Sequence, residues 1–231
     1  MAEMNSNESL APIRVETAPL RLKIIESIRH AIEHGILKPG DRLIEKDLCK
    51  QLEVSRTSLR EALRELEAEG IIAKVSARGL TVVKITLQDA ANIYRIRAQV
   101  EALIFEQFTE NASDAQLLAL EDIFRDLISA YEQGSFLAIS ETKARWHNYI
   151  CEIAQNQIAR NILSRLTLRT AQLRNRSVVR KERQKESVFE LQTLMDAIKK
   201  RDAAAAAKAA QHHVINASAS ALTPFDPGRP E

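Results

Sequence analysis

Cysteine is scarce in this chain, long apolar runs are missing, and neither sign of charge is in large excess; each shortage closes off a class of protein. Only Cys49 and Cys151 occur among 231 residues. They fall in separate expected helices of separate expected domains, which fits reduced intracellular thiols and not a disulfide scaffold. No stretch is apolar for long enough to span a bilayer, and the amino-terminal segment lacks the apolar centre of a secretory signal. A cytoplasmic protein without membrane contact is therefore expected. With 33 Lys and Arg against 31 Asp and Glu, the net charge of +2 does not suggest indiscriminate binding to polyanions. Catalytic signatures are lacking too. There is no HExxH pair, phosphate-binding glycine loop, serine elbow or paired-cysteine metal motif, so no enzyme is expected.

What is present is organised in two parts, for which the length leaves room. Residues 1–18 and 223–231 lack periodicity or carry proline and glycine, and read as a disordered arm and tail. In residues 19–85, Leu20, Ile24, Ile25, Ile28 and Ile32 recur at helical spacing until Gly35, with Pro39-Gly40 as a turn. A short helix is expected from Glu45 to Leu52, then a break at Glu53-Val54-Ser55 and a second helix. At about 100° per residue, Leu59, Ala62, Leu63 and Leu66 share one arc of it, while Arg56, Arg60 and Arg64 line up outside that arc with Thr57 beside them. Ser55 is placed to accept the first free backbone N–H groups, and the positive end of the helix is a natural position for phosphate.

That helix taken alone suits an amphipathic surface helix as well as a DNA-reading one. Its context decides. The segment ends at Gly70, and Ile71–Val75 and Leu80–Ile85 are β-rich runs around Ser76-Ala77-Arg78-Gly79, which makes a hairpin with a basic tip. Helix, helix, arginine helix and hairpin together spell a winged helix-turn-helix.

Residues 86–222 show no lasting alternation and read as an all-α bundle of six helices, so the fold class is mostly α. The expected spans are Gln88–Glu110, Asp114–Gln133, Phe136–Ala154, Gln157–Val179, Lys185–Lys200 and Ala203–Ser220. Thr86 with Asp89 and Ser113 with Gln116 resemble capping boxes. Acids outnumber bases from Thr86 to Ser140. A basic cluster through Arg165, Arg169, Arg174, Arg176, Arg180, Lys181, Arg183 and Lys185 reads either as a solvated helix face and its loop or as an anion-contacting surface.

The run Gly35-Ile36-Leu37-Lys38-Pro39-Gly40-Asp41-Arg42-Leu43, then Glu45-Lys46-Asp47-Leu48, Val54 through Leu63, Leu66, Glu69-Gly70 and Arg78-Gly79 resembles the GntR family of bacterial transcription regulators. The second half is similar to the FCD ligand-sensing domain of its FadR-like branch. There the resemblance rests on Tyr94-Arg95-Ile96-Arg97 with Glu101, Trp146-His147 with Asn156, and Ile198-Lys199-Lys200-Arg201-Asp202 leading to His213. It implies a homodimer on a near-palindromic double-stranded DNA operator. Ser55, Arg56, Thr57 and Arg60 would contact bases or phosphates, Lys46 a phosphate, and the wing around Arg78 and Gly79 the minor groove. An arginine fork on guanine supplies about 1–3 kcal/mol of discrimination, whereas a lysine only positions the backbone. Arg64 lies farther from the helix start, and Gly79 serves turn geometry as well.

Many members of that family hold a divalent metal with one aspartate and three histidines. His147 and His213 match two of these positions, but Lys143 stands at the aspartate position and Leu191 at the third histidine. Cys151, Glu190 and His212 are candidate substitutes for a zinc or nickel site. The expectation adopted is a metal-free pocket in which Lys143, Arg97, His147 and His213 receive the carboxylate of a small organic acid, and a repressor that this acid controls. A metal-dependent sensor using His147 and His213, and a ligand-independent DNA-binding dimer, are the alternatives.

Overall fold

The structure, a computed structural model, describes residues 18–75, 79–171, 173 and 180–223. Helix α1 (Ala18–Glu33) starts on the last residue of the stretch expected to be a loose arm. Residues 1–17, and 224–231 of the expected tail, lie outside the described residues. The helix buries Ile24, Ile25, Ile28 and Ile32. It stops before Gly35, whose φ of 73° is open to a residue without Cβ.

Helix α2 (Glu45–Leu52) carries Glu45 and Asp47 in its first turn, where negative charge suits the helix dipole. Helix α3 (Arg56–Ala68) opens on Ser55, whose Oγ accepts the backbone N–H of Ser58. Such a cap contributes about 1 kcal/mol. Leu59, Ala62, Leu63 and Leu66 are buried, which turns Arg56, Thr57, Arg60 and Arg64 outward. Strands β1 (Ile72–Val75) and β2 (Gly79–Val82) pair antiparallel, with Ile72 opposite Val82 and Val75 opposite Gly79.

The second strand was expected to reach Ile85 but ends at Val82. There the Val83 N–H goes to the Ile71 carbonyl, the chain turns off, and Thr86 starts the next helix. The far edge of β2 is covered by residues 40–43, through Gly40 N–H to Val82 O, Leu43 N–H to Leu80 O and an Arg42–Thr81 bridge.

The rest is a bundle of α4 (Leu87–Asn111), α5 (Asp114–Gln133), α6 (Phe136–Ile153), α7 (Gln157–Arg169), α8 (Lys181–Lys199) and α9 (Ala203–Leu222). Side-chain caps open five of them, from Thr86, Ser113, Ser135, Asn156 and Asp202; Ser113 and Gln116 complete a reciprocal capping box. Helix α7 ends at Arg169, where the Thr170 hydroxyl bonds back to the Leu166 and Thr167 carbonyls, and most of the remaining expected span to Val179 lies outside the described residues. Phe105, Phe108, Leu120, Leu127, Trp146, Leu194 and Met195 fill the core, and the small Ala206 and Ala210 of α9 let it pack closely.

The two parts meet at a seam between α1, α6 and α7. Leu168 of α7 is buried within the apolar cluster of the winged part, with Ile24, Ile25 and Ile28. Glu69, at the end of α3, receives both Arg29 and Arg165. The Ser140 hydroxyl donates to a Glu33 carboxylate oxygen at 3.2 Å. Because Leu168 fills a hole in a core that is not its own, Leu168→Ala is expected to lower the unfolding free energy by about 2–5 kcal/mol in urea titration. An effect within 0.5 kcal/mol of zero, roughly the range of a surface change, would contradict this placement.

Candidate functional site

The first candidate surface is the exposed end of α3. Ser55, Arg56 and Thr57 are exposed together at its start, and Lys46 is exposed on α2. Arg60 is exposed too, but its Nε donates to Glu45 at 2.8 Å. An exposed pair of this kind is worth about 1 kcal/mol or less, so the guanidinium is easily released to another acceptor. Gly79 sits at the wing with φ 73°, and Arg78 lies outside the described residues. The sequence reading missed two cations. Arg42 and Lys74 join Arg60, Arg64 and Gly79 around a groove of about 450 Å³ between α3 and the wing. The pairing of residues 40–43 with β2 brings Arg42 there, a contact that has no local signature.

The second site is a small, partly enclosed cavity of about 80 Å³ in the bundle. Arg97, Lys143, His147 and His213, expected to act together, all line it, with Tyr94, Ser140, Arg183 and the Glu33 of α1. The wall is built from paired charges. Arg97 donates to Glu101 through Nε and Nη2 at 3.1 and 2.7 Å, and His147 Nε2 lies 3.1 Å from the other Glu101 oxygen. Across the cavity Arg183 holds Glu190 with both nitrogens, at 2.8 and 2.7 Å, while Asn216 donates to Glu190 and His213 Nδ1 reaches it at 2.6 Å. Lys143 Nζ lies 3.4 Å from His213 Nε2 and 5.5 Å from the Tyr131 ring centre.

These partners fix the protonation states. Burial, then the Lys143 charge, push the His213 pKa down to about 4, against the upward pull of Glu190. His213 is therefore neutral at pH 7. Its Nδ1–H donates to Glu190, and the Nε2 lone pair is left to accept from the ammonium. Burial alone would raise Glu190, but His213, Arg183 and Asn216 outweigh it and hold the carboxyl well below the usual range. Arg97 and His147 do the same for Glu101.

The metal set implied by the family resemblance does not fit these residues. The ammonium of Lys143 occupies the direction in which His213 would offer its lone pair, and His147 Nε2 is engaged by Glu101. None of the substitutes is free to serve. Leu191 is packed in the core, burial pushes the Cys151 thiol up to about 11, Glu190 is bound to Arg183, and His212 pairs with Asn216. Among the described residues, no three histidine, cysteine, aspartate or glutamate ligands of the bundle converge.

The reading of the basic cluster as a solvated face also fails at Arg183, which is only 5% exposed. Its seven-residue spacing from Glu190 puts both on one helix face, a signal that was readable. Arg97 and Glu101, four apart, carried the same signal.

A winged helix-turn-helix with an arginine-bearing helix, joined to a helical bundle around an ionic cavity, is the architecture of a one-chain bacterial regulator. The profile described as bacterial regulatory proteins, gntR family, matches residues 20–82, and the FCD domain profile matches residues 92–216. The chain belongs to that family and carries an FCD domain.

Its relatives are named as regulators and not as enzymes. It is 29% identical over 146 residues to the uncharacterised HTH-type transcriptional regulator YdhC of Bacillus subtilis, covering 63% of this chain and 65% of that protein. It is 31% identical over 121 residues to the HTH-type transcriptional regulator McbR of Escherichia coli, covering 52% and 55%. With the HTH-type transcriptional repressor RspR of E. coli it shares 26% over 204 residues, covering 88% and 90%. The chain thus spans under two thirds of the first two relatives' length. The fold is shared with the solved E. coli McbR/YncC, at TM-score 0.75, 23% identity and coverage of 88% and 95%. It is shared likewise with a putative GntR regulator from Rhodococcus, at TM-score 0.75, 20% identity and coverage of 90% and 100%. No helix among the described residues is long and apolar enough to cross a membrane.

The depressed pKa of His213 has a definite sign. The unfolded chain takes up a proton near the ordinary value of 6.5, the folded chain only near 4. What this neutral imidazole contributes is thus fully present above pH 6.5 and lost as pH falls towards 4. Glu101 and Glu190 add a loss of the same sign below about 4.5. Urea titrations from pH 7 to 5 are expected to show falling stability, with a shallower slope in His213→Gln; equal slopes would refute the assignment.

Proposed function

We propose that this chain is a sequence-specific DNA-binding transcription regulator of the bacterial cytoplasm, a homodimer acting on near-palindromic operators, whose bundle binds a small organic acid directly and without metal. The observation that carries the acid-binding part is Lys143. Its ammonium faces a neutral imidazole at 3.4 Å in a partly enclosed cavity, where many members of the family place a metal. Tyr94 on the same wall has a buried hydroxyl with no hydrogen-bond partner among the described residues, a ready donor to a carboxylate. The repressor sign is carried from RspR, which aligns along most of both chains and is named a repressor.

Glu33 supplies the coupling to DNA. It belongs to α1 of the winged part, yet it lines the cavity and accepts from Ser140 of α6. The carboxylate of an incoming acid meets this resident carboxylate, and the two compete for the same donors. Displacing Glu33 loosens α1 from α6 and changes how the two recognition helices of a dimer are spaced. A differential affinity of about 1–3 kcal/mol, or 5–150-fold in operator binding, makes a useful switch.

Two measurements test this reading. In a thermal-shift screen of small carboxylates and sugar acids on chelator-treated protein, the effective acid raises the melting temperature progressively as its concentration exceeds its dissociation constant, and Lys143→Met abolishes the shift. Dependence of the shift on added zinc or nickel would defeat the metal-free site, and silence across the screen would leave a dimer that binds DNA without a ligand. In operator binding, Arg56→Ala flattens the preference among site variants by about 1–3 kcal/mol, whereas Lys46→Ala weakens all of them alike and reduces the salt slope. The reverse pattern would exchange their roles.

A further inference from the structure

A third cluster lies on the seam, outside both sites described above. The segment His30-Ala31-Ile32-Glu33-His34 sets two imidazoles four residues apart, His30 in the last turn of α1 and His34 just past its end with its backbone N–H still bonded to the His30 carbonyl, the spacing at which a helical turn presents two ligands to one metal. Opposite them stands Glu141 of α6. One ligand atom from each of His30, His34 and Glu141 lies within 4.8 Å of the other two. The imidazoles stack with ring centres 3.8 Å apart.

We propose that His30, His34 and Glu141 form a divalent-cation site, suited to zinc, that bridges the winged part and the bundle. Three atoms spaced in this way leave a point no more than about 2.8 Å from each (4.8 Å divided by √3). Zinc bonds to nitrogen and oxygen at about 2.0–2.2 Å, so shifts under 1 Å in exposed or half-buried side chains complete the set. His34 is already prepared. Its Nδ1–H donates to the His30 carbonyl at 2.8 Å, which fixes the tautomer and leaves Nε2 as the ligand atom, the usual outer-shell arrangement of a metal-bound histidine. Two neutral imidazoles and a carboxylate favour a borderline ion over calcium or magnesium, which take oxygen ligands. A water fills the fourth position.

The order His-x-x-Glu-His also occurs in a class of zinc peptidases, where the glutamate is the general base. Here Glu33 accepts from Ser140, and the role assigned to the site is to hold an ion. Its place gives it a role. His34 and Glu141 directly follow Glu33 and Ser140 in the chain, so the ion would clamp α1 to α6 beside their hydrogen bond.

The test is zinc titration of the full chain without a polyhistidine tag, against a chromophoric chelator and by thermal shift. The expected result is one zinc per chain and a raised melting temperature. His30→Ala, His34→Ala and Glu141→Gln each remove a direct ligand, and each should cost more than the 10–100-fold typical of losing an outer-shell partner. His147→Ala keeps zinc binding intact, which separates this site from the bundle cavity. The proposal is overturned by absence of binding, by binding indifferent to His34→Ala, or by binding lost in His147→Ala. The outcome is independent of whether an organic acid binds the cavity.

Discussion

The bundle interior depends on a single constraint: a charge taken out of water must be held by an opposite one. Buried Arg97 is held by Glu101 and buried Arg183 by Glu190, while the half-buried Lys143 and Glu33 line the same cavity. A buried carboxylate or ammonium left alone is expensive, and removing one partner of a buried pair typically costs about 3–5 kcal/mol. Two of the three carboxylates come from the bundle. The third, half-buried Glu33, comes from α1, so the winged part contributes a carboxylate to the cavity wall.

Much of the architecture was legible because local chemistry dictates it. Helix starts were visible where a short polar side chain precedes an apolar period, as at Ser55, Thr86 and Ser113. The arginine helix was visible because its apolar arc is uninterrupted from Leu59 to Leu66. What local chemistry does not encode was missed. The end of α7 at Arg169 falls in the middle of a run that keeps helical composition, with no glycine or proline to announce it. Arg183 was misjudged because a dense basic stretch looks solvated until Glu190 is placed against it.

The cavity was legible in membership and not in state. The resemblance supplied Arg97, Lys143, His147 and His213, but only three-dimensional placement reveals that His213 is neutral and that its lone pair meets an ammonium. The contacts that cross the molecule were least accessible of all. Arg60 with Glu45, Arg165 with Glu69 and Ser140 with Glu33 join residues far apart in the chain, with no motif to announce them.

The placement of Leu168 bears on how such regulators diversify. A knob from the sensor half that fills a socket among the isoleucines of the reader half makes the two halves a matched set. Recombination that brought in a foreign reader would leave that knob facing water or an ill-fitting surface. A reader and a sensor of this kind are thus exchanged without loss only where the new partner offers a socket matching the last turn of α7.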